Sequence, residues 1–157
     1  MGWKFFAVAA ALISLLSGAA TAGEKIEESG REAFSTQVWE LLELGEGHSV
    51  ALWRGQGVAY SDNPSSPLHL ATIDCAGTFE FMPDGKTEDS GHCTYTTRDG
   101  DKLFDKWWQS PGMETARYEW IGGTGRWAGA KGGGTYRVTQ LSDSLLSIDY
   151  SGTVEAP

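Results

Sequence analysis

The chain has 157 residues, with 21 acidic against 12 basic side chains and a formal net charge of −9. Such a surface repels polyanions, which argues against nucleic acid and anionic membranes as partners; solubility outside the cytoplasm accounts for the acidity. The length is that of one domain able to bury one sizeable core.

The chain opens with MGWKFFAVAAALISLLSGAATAG: Lys4, an apolar run from Phe5 to Leu16, then small residues through Ala20-Thr21-Ala22. That pattern predicts a secretory signal peptide over residues 1–22, cut after Ala22. The run falls short of the ~20 apolar residues that span a bilayer. A secreted or periplasmic protein with no membrane insertion after cleavage is therefore expected. Residues 23–33, GEKIEESGREA, are charged, carry little to bury and read as a flexible leader. Residues 34–157 then form a single domain.

From Phe34 onward no window keeps a 3.6-residue apolar period, while alternation and turn residues recur about every ten residues, as in an all-β sandwich or barrel. Strands are predicted over residues 34–44, 49–60, 69–82, 90–97, 103–109, 116–121, 134–141 and 144–154. In the third, Ala71, Ile73, Cys75, Phe79 and Phe81 share one face and Thr72, Asp74, Thr78 and Glu80 the other. In the last, Leu146, Ile148, Tyr150 and Val154 oppose Ser147, Asp149, Ser151 and Thr153. Short turns separate them, among them Asp62-Asn63-Pro64, Pro83-Asp84-Gly85 and Asp99-Gly100-Asp101. Connections so short join antiparallel neighbours, so the whole reads as a meander. Eight strands are the number that closes a barrel around side chains or one small ligand. The expected fold class is an all-β, eight-stranded, antiparallel up-and-down barrel, calycin-like in outline.

Two cysteines, Cys75 and Cys93, in a chain bound for an oxidising compartment suggest a disulfide. Opposed residues of a hairpin have a constant number sum, and this pair centres on Asp84, the middle of the Pro83-Asp84-Gly85 turn. A cross-strand disulfide follows; a wider loop through Lys86–Gly91 would give a less symmetric pairing. No metal site is expected, since His48, His69 and His92 lack ligand spacing, and no cofactor motif is present.

The segment Gly123-Thr124-Gly125-Arg126-Trp127-Ala128 fits G-x-G-x-x-A, but a nucleotide loop needs a helix after it, and Lys131–Gly134 brings three glycines and then a strand. The glycines Gly122, Gly123, Gly125 and Gly129 read instead as a bent corner in a coiled sheet, with Trp120 and Trp127 packed across it. The stretch WIGGTGRWAGAKGGGTYRV resembles the glycine-rich signature of the allene oxide cyclase and dirigent-protein group, and SLLSIDYSGTVEAP resembles the end of that barrel. Upstream, GHCTYTTRDGDKLF is similar to small secreted bacterial proteins with the same signature. The resemblance spans about residues 69–154. It implies an eight-stranded barrel, a homo-oligomer (trimeric in plant members), and an apolar pocket for oxylipins or phenolic radicals. The cyclases use an acidic residue from the early strands, for which Glu40 is the candidate catalytic residue; Cys75 falls about where a cyclase has a pocket cysteine.

Of the tryptophans, Trp39, Trp53 and Trp120 are the expected wall of a site for a small apolar or aromatic ligand. Trp107 and Trp108 are consecutive, so one should point in and the other out, towards a subunit interface or binding face. Three functions remain open: ligand binding without catalysis, an isomerase, cyclase or dirigent-type stereochemical guide, and a structural oligomeric surface protein.

Overall fold

The computed structural model describes residues 23–157; the predicted signal peptide lies outside the described residues. Eight strands follow one another: β1 (Glu24–Gly45), β2 (His48–Ser61), β3 (Thr72–Phe81), β4 (Thr87–Thr96), β5 (Lys102–Gln109), β6 (Ala116–Gly123), β7 (Lys131–Gln140) and β8 (Leu145–Ala156). Each pairs antiparallel with the next, and β1 pairs with β8, so the sheet closes into a barrel in the predicted meander order.

The leader expected over residues 23–33 is instead largely the first half of β1, paired with β8 from Glu24 to Ser35. Its alternation is hidden by charge. Lys25, Glu27 and Arg31 face solvent, while Glu28 and Glu32 are buried on the side that carries Phe34. A carboxyl on the inner face reads as polar to any hydrophobicity pattern, so the inward period disappears.

β1 is regular until Gln37, which has no partner: Thr36 faces Gly55 and Val38 faces Arg54. The inserted residue is a bulge. Before it the even-numbered residues Glu32, Phe34 and Thr36 line the interior, and after it Trp39 does.

Strand ends define two ends of the barrel. At one, the loop 62–71 buries Ser66, Leu68 and Ala71, and the glycine corner buries Trp127 and Ala130. There Gly122, Gly125 and Gly129 have positive φ, and the corner holds only a short 3-10 turn, Gly125–Trp127. Asp101 locks it by accepting a bond from the Arg126 backbone N–H at 3.0 Å, and its carboxylate occupies the space a Cβ on Gly125 would need. At the other end the short turns after β1, β3, β5 and β7 surround an opening.

The core is aromatic, and glycines make room for it. Gly77 and Gly91 face each other across β3 and β4, and the indole of Trp107 lies where a Cβ on either would sit. Trp107 thus points inward and is buried, while Trp108 points outward under Lys106, whose Nζ is 5.6 Å from the ring centroid.

Cys75 and Cys93 are directly opposed in β3 and β4 and form the predicted disulfide, 18 residues apart in sequence. Closing a loop of that size restricts the unfolded chain by about 3 kcal/mol. The double variant Cys75→Ser/Cys93→Ser should lose about that much in urea unfolding. A loss too small to resolve would show that the closed sheet, not the crosslink, fixes this register.

Candidate functional site

The interior is an apolar cavity of about 490 Å³ that opens at the end formed by the turns after β1, β3, β5 and β7. All three tryptophans expected as its wall line it: Trp39 at the mouth, half exposed, and Trp53 and Trp120 buried deeper. Trp53 packs edge-on against Phe79 at 6.1 Å and Trp107 at 6.0 Å between ring centroids, and Trp39 lies 5.5 Å from Phe79. Trp120 sits deeper, between Tyr95 at 5.1 Å and Tyr118 at 5.2 Å. The disulfide is part of the wall, so Cys75 is bound to Cys93 rather than a free pocket thiol.

The candidate carboxylate is in the wrong place. Glu40 follows the bulge of β1 on the outward side, opposite Leu52, and is exposed. Of the acids that line the cavity, two are more than nine-tenths buried: Glu32 of β1, 6% exposed, and Asp105 of β5, 2% exposed. Sequence reasoning missed both. Glu32 lay in the presumed leader, and Asp105 sits in Leu103-Phe104-Asp105-Lys106-Trp107 as one polar residue on an otherwise apolar face; that interruption was the available signal.

Tyr95 joins the two acids. Its hydroxyl donates to Glu32 Oε1 at 2.9 Å and lies 3.3 Å from Asp105 Oδ2. A hydroxyl has one hydrogen, so holding both contacts as hydrogen bonds requires a proton on one of the carboxyls. Electrostatics agree. Burial pushes Glu32 up to about 8, against the lowering bond from Tyr95 and with the Asp105 charge adding to the rise. Burial also pushes Asp105 up to about 7, although the Cys93 backbone N–H, donating at 2.8 Å, favours its charged form. The Tyr95 phenol is raised well above its ordinary value by burial and by the acids. The cluster therefore holds exchangeable protons near neutrality, as general acid–base chemistry requires.

Nearer the closed end, Glu28 is buried and accepts hydrogen bonds from Ser61 Oγ at 2.8 Å and from Ser66 Oγ. These bonds tie loop 62–71 to β1. At the mouth side, Asp89 lines the cavity, its Oδ1 buried without a partner, and burial pushes its carboxyl up to about 6.

No protein-family model matches the sequence. No curated protein matches it either. Solved structures do. The pterocarpan synthase dirigent protein PsPTS1 superposes with a TM-score of 0.57 over 87% of this chain and 97% of its own, at 13% identity. The fold is the dirigent barrel. A second pterocarpan synthase dirigent protein, GePTS1, gives a TM-score of 0.55 over 87% of this chain and 88% of its own, at 12% identity. A pyocyanin demethylase aligns more loosely, with a TM-score of 0.46 over 78% of this chain and 98% of its own, at 13% identity. The likeness to the dirigent barrels agrees with the resemblance carried by the glycine corner.

The buried pair makes stability depend on pH with a definite sign. Glu32 and Asp105 have folded-state values raised above their ordinary ones, so below about pH 4 both states are protonated and nothing is lost. As pH rises towards 7 and 8 the unfolded chain releases protons that the fold retains, and stability falls. Glu32→Gln removes one such group, so the fall in stability between pH 5 and 8 should be smaller in the variant than in the wild type by on the order of a few kcal/mol. Urea midpoints of both proteins across that range measure it. Parallel profiles would mean that Glu32 titrates normally.

Proposed function

We propose that the protein binds one small, flat, largely apolar aromatic molecule inside the barrel. The observation that carries this is the cavity itself: about 490 Å³, open at one end, walled by aromatic rings, with polar groups concentrated at a few points. That is the form of a small-molecule site, where apolar walls supply affinity and a few polar atoms fix orientation. The dirigent-barrel fold supports the reading, since two of its members are named as pterocarpan synthases. The disulfide supports an oxidising compartment, in line with a secreted or periplasmic protein.

Saturable quenching of tryptophan fluorescence by two-ring aromatic probes is the expected result, because Trp39, Trp53 and Trp120 all line the cavity. Val138 stands at the mouth, half exposed, so Val138→Trp should narrow the opening without disturbing the core. Binding should weaken by at least about tenfold, a change of ~1.4 kcal/mol, at unaltered melting temperature. Unchanged affinity in that variant would place the ligand elsewhere.

One observation favours a second reading, in which the barrel steers a reactive phenolic- or oxylipin-like substrate as an isomerase, cyclase or stereochemical guide. The Glu32–Tyr95–Asp105 cluster places two raised carboxyls on one hydroxyl at the wall of the cavity. One carboxyl can give a proton while the other takes one, and the aromatic wall holds the substrate in a single orientation. Asp105→Asn should then abolish any stereochemical excess in product, read by chiral chromatography, with the fold verified by its near-ultraviolet dichroism. An undiminished excess in that variant would remove the cluster from the chemistry.

A further inference from the structure

A cavity wall selects by charge as well as by shape. Among the described residues the wall carries four carboxyl groups, Glu32, Asp89, Asp105 and Asp143, and no lysine, arginine or histidine. The bases on the strands face the other way: Arg54 binds Asp74 at 3.0 Å on the outer surface, and Lys106 lies over Trp108. The rest of the wall is dominated by ring faces, with Trp53, Phe79 and Trp107 about 6 Å apart in mutual contact. Ring faces attract a cation, and in a water-poor site the attraction is strongest.

A second observation points to a polar partner on the ligand. The indole N–H groups of Trp107 and Trp120 and the hydroxyl of Tyr118 are buried without a protein partner, in residues more than nine-tenths buried that line the same cavity. Asp89 Oδ1 is unpaired as well. Buried polar atoms are normally satisfied. With the Tyr150 hydroxyl, also unpaired, four donors and one acceptor stand unmatched in one apolar cavity, which fits a ring system that carries polar atoms, while the wall's acids and ring faces favour positive charge on it.

Resting on the ligand-binding reading above, we propose that the barrel selects a cationic nitrogen heteroaromatic, N-alkylated or protonated on the ring, over neutral and anionic molecules of the same shape. An anionic ligand finds no base on the wall to pair with, and it is repelled wherever the wall's carboxyls are ionised. This narrows the ligand class away from carboxylate-bearing oxylipins.

The preference is linked to pH. Glu32 is faced by Tyr95 of β4, Asp105 of β5, Tyr118 of β6, Tyr136 of β7 and Tyr150 of β8; Glu28 lies four residues away on its own strand, outside the cavity wall, and β2 and β3 add no titratable group to the wall. No cation is among them. A bound cation supplies the missing positive charge, so it favours the ionised carboxyls and displaces protons that the empty barrel holds at neutral pH. Affinity for a permanent cation therefore rises from pH 6 to pH 8.5, and affinity for a neutral ring does not.

Three two-ring probes of nearly equal size test this on the full mature chain: N-methylquinolinium, 1-methylnaphthalene and 1-naphthoate, followed by tryptophan quenching and calorimetry. At pH 8.5 the quinolinium should bind at least about tenfold tighter than methylnaphthalene, with naphthoate weakest. The ratio should shrink at pH 6, and calorimetry in buffers of different ionisation heat should show proton release for the cation alone. Glu32→Gln, with its fold checked by melting, should narrow the ratio of cation to neutral affinity. Naphthoate binding as tightly as quinolinium, or a ratio indifferent to pH, overturns the charge preference while the ligand-binding reading stands. Saturable binding by none of the three overturns both.

Discussion

The pairing of Glu24–Ser35 with Leu145–Ala156 is the constraint on which everything inside the barrel rests. It removes both free edges of the sheet, and it decides which side chains of β1 go inward. Because Phe34 must be buried, the residues at even spacing before it, Glu32 and Glu28, are buried too. In an open sheet both carboxyls would stand on an edge strand, in water. Closure converts two surface acids into interior ones, and the raised value of Glu32 is the electrostatic expression of that topology.

Once closed, the barrel has to fill its interior without filling its cavity. Large rings do the first task, and glycines on the facing strands keep the rings flat against the wall. Trp107 lying over Gly77 and Gly91 is the clearest case, since any side chain at either position would push the indole towards the axis. The closed end is handled differently: Leu68 and the loop 62–71 plug it, held by the bonds from Ser61 and Ser66 to Glu28. Glu28 therefore serves architecture, while Glu32 faces the cavity. Two acids four residues apart on one strand have different tasks because one meets serines and the other meets a tyrosine and a second acid.

Much of this was legible in the sequence, and the parts that were not share one cause. Strands β2 to β8 announce themselves by alternation and by Gly, Pro and Asp turns, and the Cys75–Cys93 symmetry about Asp84 fixes a register in advance. The glycine corner is recognisable because no helix can follow it. Trp39, Trp53 and Trp120 can be placed at the wall because large rings on amphipathic strands face inward. Inner-face acids break these rules: Glu28 and Glu32 made the start of β1 look like solvated leader, and Asp105 looked like an interruption. Glu40 is the candidate that the resemblance to the cyclases, with their acid on an early strand, implies, yet the bulge at Gln37 changes the parity of the strand, a backbone event with no side-chain signature.

That bulge also says something about how the mouth of the barrel tolerates change in chain length. Gln37 is extra in β1 relative to β2, with Thr36 facing Gly55 and Val38 facing Arg54; a second shift, at Leu44 beside the turn, lies beyond Trp39. A chain lacking it would run as a plain strand and still deliver Trp39 to the interior, because the inward parity on either side is already matched across the gap. A chain with the same number of residues and a flat strand would turn Trp39 outward and bring Val38 to the lip. The rim indole is thus protected against loss of a residue at this point and exposed to loss of the kink, so the length of β1 and the identity of the ring at the entrance are free to vary separately.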